Sequence, residues 1–284
     1  MSKRFFLSVL ILALAFLMLQ NNSRAEDNIT VDNTTELFTE EEYPSDMDTL
    51  EEFIQSYYLL LESNEYLKQF KFINPEKNYI SGDKKALQSF YEKLLELRSG
   101  LRDRVTIYQI GDSHIQSGYF SGTARTSLQK YFGNSGRGLI FPLRLAGTNQ
   151  PDDYRITASG AFSRSNSERG LSGYALNATN GMCLEITTNN FFKGDNSFNT
   201  VSMITAMPGL KPKIDLAEKN IKEYSIKAGN YFYSRVSWDK AVTKIKLTLA
   251  GEPSTLFGIS LENNQPGLLY HSCGINGASF YNLT

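Results

Sequence analysis

A serine hydroxyl is a weak nucleophile unless it is presented to a substrate and a base takes its proton. Ser113 is the residue of this chain best placed for such presentation. Gly111-Asp112-Ser113-His114 follows Val105 to Ile110, a short apolar run with β-branched residues, and precedes Ser121 to Phe132, a stretch able to form a helix. A tight glycine turn at the C-terminal end of a strand lifts one side chain into the crevice where α/β sheets bind ligands. A following helix N-terminus offers amide N–H groups to a developing oxyanion. Gly-Asp-Ser alone also describes an ordinary helix-capping turn. The weight therefore falls on its context, including a second strand and glycine turn downstream, Leu268 to Gly277.

Candidate bases are scarce, because the chain has two histidines, His114 and His271. His114 adjoins Ser113, and neighbouring side chains at a sharp turn diverge. His271 falls in the downstream strand, a core or supporting position. Two histidines exclude a His-rich metal centre, and no cofactor is called for. The two cysteines, Cys183 and Cys273, have no CxxC spacing; a disulfide and a pair of buried thiols both stay open.

The elements that must position Ser113 begin after an apparent export signal. Lys3 and Arg4 precede an apolar run from Phe5 to Leu19, and Ser23-Arg24-Ala25 offers a cleavage site, so residues 1–25 read as a signal peptide. The run is shorter than a membrane helix needs, which predicts a secreted or periplasmic protein with no integral span after cleavage. Residues 26–48 read as an acidic, solvated linker. Residues 49–153 would hold the N-terminal helices, one from about Thr49 and one over Asp83 to Arg98, and the first part of an α/β domain. From 154 to 262 short β-rich runs alternate with Gly, Asn and Pro signals, which predicts an all-β sandwich or jelly-roll insertion. Residues 263–284 then resume the α/β domain. A net charge of -1 and the lack of any Lys/Arg stripe exclude nucleic acid as an expected partner.

Val105 to Gly118 resembles the first conserved block of the SGNH/GDSL hydrolases, and Gly274-Ile275-Asn276-Gly277-Ala278-Ser279 resembles the second. Phe132 to Pro142 and Ala146 to Pro151 are similar to a Bacteroidetes subgroup resembling peptidoglycan O-acetylesterases, which carry a β-sandwich insertion between these blocks. The resemblance implies an incomplete SGNH-type (flavodoxin-like) three-layer α/β fold with that insertion. It also implies Ser113 as nucleophile and Gly277 as an oxyanion donor, with Asp112, His114 and Asn276 binding substrate. The implied partner is acetylated glycan or peptidoglycan.

The family's third block, Gly-x-Asn, and its last, Asp-x-x-His, should follow the second, and neither occurs before Thr284. Gly147-Thr148-Asn149 has the letters of the third block but lies on the other side of the insertion. Loss of triad members costs serine hydrolases roughly 10⁴ to 10⁶ in rate, so a chain truncated in this way is expected to be nearly inactive alone. The alternative is a non-catalytic carbohydrate-binding envelope protein that stacks sugars on Trp238, Tyr231, Phe232 or Tyr233.

Overall fold

The structure is a computed structural model that describes residues 69–72, 74, 84–165, 167–215 and 220–278. The expected signal peptide, the acidic linker and the helix from Thr49 lie outside the described residues. The chain divides into two compact units, Met1–Tyr91 and Glu92–Thr284. In the first, the rings of Phe70 and Phe72 meet at 5.7 Å, and a 3-10 turn, Lys84–Leu87, leads into helix α1, Gln88–Arg98, whose residues from Glu92 onward belong to the second unit.

In the second unit antiparallel β-structure dominates, and the expected three-layer α/β fold is not found. Among the described strands one pair is parallel, β1 (Arg104–Gly111) and β13 (Gly267–Gly274), in register from Arg104↔Gly267 to Gly111↔Gly274, with an isolated parallel bridge from Asn134 to Leu268 beside it. A three-layer sandwich needs helices on both faces of a larger parallel sheet. Here the described helices after α1 are α2 (Ser113–Gln116) and α3 (Tyr119–Phe132), and every described regular element between α3 and β13 is a strand. A parallel pair requires a crossover, and in this protein the crossover is an entire β-sandwich.

That sandwich has a seven-stranded and a four-stranded sheet. The first contains β2 (Gly138–Ile140), β4 (Phe162–Arg164), β5 (Leu176–Ala178), β7 (Phe198–Ala206), β9 (Lys222–Ala228), β10 (Tyr231–Val242) and β12 (Ser254–Glu262). The second orders β3 (Tyr154–Ser159), β6 (Cys183–Thr188), β11 (Lys244–Gly251) and β8 (Leu210–Ile214). Alternation decides what each strand buries: Leu184 and Ile186, or Ile245, Leu247 and Leu249, point inward from the small sheet. They meet Val201, Met203, Ile259 and Leu261 from the large one in a single core. Trp238 and Phe232 belong to the buried set, at 3% and 6% exposure, so neither is a sugar-stacking surface; Tyr231 and Tyr233 point outward. The edges are protected by residues that discourage further pairing: Pro212 sits in edge strand β8, and exposed β9 carries Lys222 and Lys227.

Candidate active site

Strand β1 ends at Gly111, and the chain turns at once into α2. Asp112 caps that helix, its Oδ1 accepting from the His114 backbone N–H at 2.9 Å. This hydrogen bond is the main reason the Asp112 carboxyl is held below its usual value. The His114 imidazole lies beside the same oxygen, Nδ1 to Oδ1 3.1 Å, with its side chain 85% exposed. Ser113 is exposed, and its hydroxyl makes no hydrogen bond among the described residues.

The second glycine turn sits beside the first because β1 and β13 run in parallel register. Gly274 pairs with Gly111, and Ile275 N–H donates to Gly111 O at 3.0 Å. Glycine is required at 274 for space: a Cβ there would fall inside the backbone of Gln116. Glycine at 277 is required for conformation instead, with φ +73° and open space around it. The Gly277 N–H donates to no described group.

A small polar network ties the two turns together. Gln116, 2% exposed, accepts from Asn276 N–H at 2.7 Å through Oε1. Its Nε2 donates to Thr148 Oγ1 and to Asn149 O, both at 2.8 Å. Asn276 Nδ2 also donates to Thr148 Oγ1, at 3.1 Å. The 147–149 turn therefore does reach the site, but through the Thr148 hydroxyl and the Asn149 carbonyl. Asn276 appears here as a bridge between turns. Neither Gln116 nor Thr148 was singled out by sequence reasoning; both are polar residues in segments without apolar periodicity, and only their meeting in space reveals them.

Beneath the site a buried ion cluster holds α3 to the sandwich. Arg125 of α3 and Arg137 flank Asp153, with Nη2 to Oδ distances of 3.0 and 2.9 Å, and the three side chains are 3%, 4% and 0% exposed. Arg137 also donates to Leu139 O. Burial alone would raise the Asp153 carboxyl, but the Arg137 and Arg125 guanidiniums hold it below its ordinary value. Burial also pulls Arg125 down to about 10, with Arg137 adding repulsion.

No family model matches this chain, and no curated protein matches it. Among solved structures, the chain is similar to a peptidoglycan O-acetylesterase, with a TM-score of 0.48 and 23% identity; the match covers 68% of this chain and 53% of that one. The chain spans about half the length of that structure.

The described residues place no base against Ser113. His114 contacts Asp112 and not the serine. His271 pairs with Tyr108, three strand residues before Gly111, so it lies roughly 10 Å or more down the pair from Ser113. Its Nδ1 already accepts from Leu139 N–H at 3.0 Å. Among the described residues no three His, Cys, Asp or Glu side chains gather to hold a metal ion, and no helix is long and apolar enough to cross a membrane. Both cysteines are free thiols, Cys273 buried and Cys183 partly exposed.

Proposed function

We propose that Ser113 is the acyl-accepting nucleophile of a serine esterase acting on O-acylated glycan, of which O-acetylated peptidoglycan is the leading candidate, in the secreted or periplasmic space. The observation that carries the reading is the parallel pairing of β1 with β13, which brings two glycine turns to one end of the pair. In the proposed reaction Ser113 Oγ attacks the ester carbonyl, the Ser113 and Gly277 amide N–H groups hold the oxyanion, and the sugar hydroxyl leaves. Water then releases the acyl group from Ser113. Asp112, His114 and Asn276 shape the mouth of the site. With no base among the described residues in reach of Ser113, attack is slow.

The test follows from that missing proton acceptor. Hydrolysis of p-nitrophenyl acetate by the chain is expected to be weak, and added imidazole is expected to raise it by acting as a diffusible base. The informative quantity is the difference between the native chain and Ser113→Ala at each imidazole concentration, since imidazole also attacks the ester directly. An imidazole-dependent excess in the native chain, accompanied by acetate release from O-acetylated peptidoglycan, supports the proposal. Identical rates for the two proteins at every concentration refute it.

A further inference from the structure

Strand β9 ends the seven-stranded sheet, pairing with β10 on one side and with no described strand on the other. All seven of its residues, Lys222–Ala228, are exposed, although successive side chains of a strand point to opposite faces. The neighbouring strand shows why. Opposite Glu223, Ser225 and Lys227 stand Val236, Ser234 and Phe232 of β10, at 0%, 2% and 6% exposure, so burial by the sandwich stops at β10. On the other face Tyr224 and Ile226 are 55% and 48% exposed, and the Tyr224 ring meets that of Tyr233 on β10 with centroids 6.3 Å apart. Such an edge offers unpaired backbone N–H and C=O groups to a further strand.

The sequence of this strand, Lys222-Glu223-Tyr224-Ser225-Ile226-Lys227-Ala228, is complementary to its own reverse. In an antiparallel pair with a two-fold axis through Ser225 and normal to the sheet, Glu223 falls opposite Lys227 of a second copy, and Tyr224 opposite its Ile226. Symmetry makes each match occur twice. The two ion pairs lie on one face and the two aromatic–β-branched pairs on the other, both being favourable cross-strand combinations. Neighbouring registers lose them. An axis at Tyr224 sets Glu223 opposite Ser225, and an axis at Ile226 sets Lys227 opposite Ser225. Lys227 thus guards the edge against an arbitrary strand, which would leave its ammonium unanswered, but not against a second copy of β9.

We propose that two copies of this chain associate through β9, edge to edge, in a two-fold antiparallel pair centred on Ser225. The contact joins the two large sheets into one and uses up the open edge of both copies, so it closes at the dimer. Backbone hydrogen bonds supply the attraction, and the Glu223–Lys227 and Tyr224–Ile226 pairs fix the register. Seven residues from each copy make a small interface, so the association is weak, with a dissociation constant in the micromolar range. No residue of the candidate active site takes part, and the proposal is independent of the esterase reading.

Sedimentation equilibrium of the full chain across the micromolar range tests it, with charge variants to read the register. The native chain is expected to shift from monomer to dimer. Glu223→Lys and Lys227→Glu each turn two ion pairs per dimer into two like-charge contacts, and each is expected to weaken self-association about tenfold. Both side chains are exposed, so the melting temperature of either variant measured at monomer concentrations is expected to match the native one. Mixing the two single variants is expected to restore association, because their mixed dimer sets opposite charges at both positions. The double variant carrying both changes is expected to dimerise as the native chain does. A chain that stays monomeric, assembly beyond the dimer, single variants that associate like the native chain, or a mixture no tighter than either variant alone overturns the proposal.

Discussion

Acid should unfold this protein partly through His271. Burial, only partly offset by Glu262 and reinforced by Arg137 and Arg104, pulls its imidazole from 6.5 to about 4. The folded state therefore holds His271 neutral at pH values where the unfolded chain protonates it. Stability linked to this residue is fully present above pH 6.5 and is lost as pH falls from 6.5 towards 4. That interval corresponds to about 3 kcal/mol in all, of which about 2 kcal/mol is gone by pH 5. Urea unfolding of the native chain and of His271→Gln, measured between pH 7.5 and 5, isolates the effect. The glutamine can accept the Leu139 N–H but does not titrate, and every other ionisable group is common to both proteins. The native chain is expected to lose about 2 kcal/mol relative to the variant over this range. Parallel pH profiles, or a His271 ring resonance that titrates near 6.5, would refute the reasoning.

Three other outcomes follow from the same geometry. Asp153→Asn leaves the buried Arg125 and Arg137 guanidiniums without their carboxylate and is expected to cost about 3–5 kcal/mol in urea unfolding; a loss under about 1 kcal/mol would contradict the ion cluster's role. In the native chain the depressed Asp153 carboxyl contributes stability that is present above its ordinary value of 3.8 and lost as pH falls below it, so the Asn variant should show a shallower acid limb. Gly274→Ala collides with the Gln116 backbone whereas Gly277→Ala meets only the cost of its positive φ; melting curves should show a severe loss for the first and about 1 kcal/mol for the second. Burial raises the Cys273 thiol to about 12, so a thiol reagent at pH 8 is expected to modify Cys183 alone in the folded chain and both cysteines in denaturant. No reactive thiol in denaturant would instead indicate a disulfide.

What was legible in the sequence was local. An apolar run, a glycine, a capping Asp112 and an exposed Ser113 fix their own geometry within a few residues, and the second glycine turn does the same. The β-rich texture from Tyr154 onward is likewise a local signal, because alternation and turn residues recur every few positions. The three-layer fold was implied by the resemblance of two short strand-and-turn blocks, and such blocks carry no information on how many strands the sheet collects. That number depends on pairings such as Tyr270 OH with Gln109 Oε1, made across 161 residues at 2.7 Å.

Helix α3 shows the second way in which the pattern misleads. Its inward residues, Ser121, Gly122, Arg125 and Gln129, recur at helical spacing but are small or polar, so no apolar stripe marks the buried face. Gln129 Nε2 donates to Gly136 O and Leu268 O, Arg125 donates to Arg137 O and Asp153, and Gly122 admits the Phe192 ring. A helix held through hydrogen bonds to irregular backbone has stricter positional demands than one held by apolar contact, since each buried donor must find its acceptor. The same demand operates at Gln116, whose amide bridges the two glycine turns beside Ser113. Removing that amide should therefore disturb the candidate site more than the overall stability. Gln116→Leu is expected to reduce any Ser113-dependent, imidazole-assisted turnover while the sandwich melts much as before. Loss of both together would mean that the turns and the sandwich unfold as one unit.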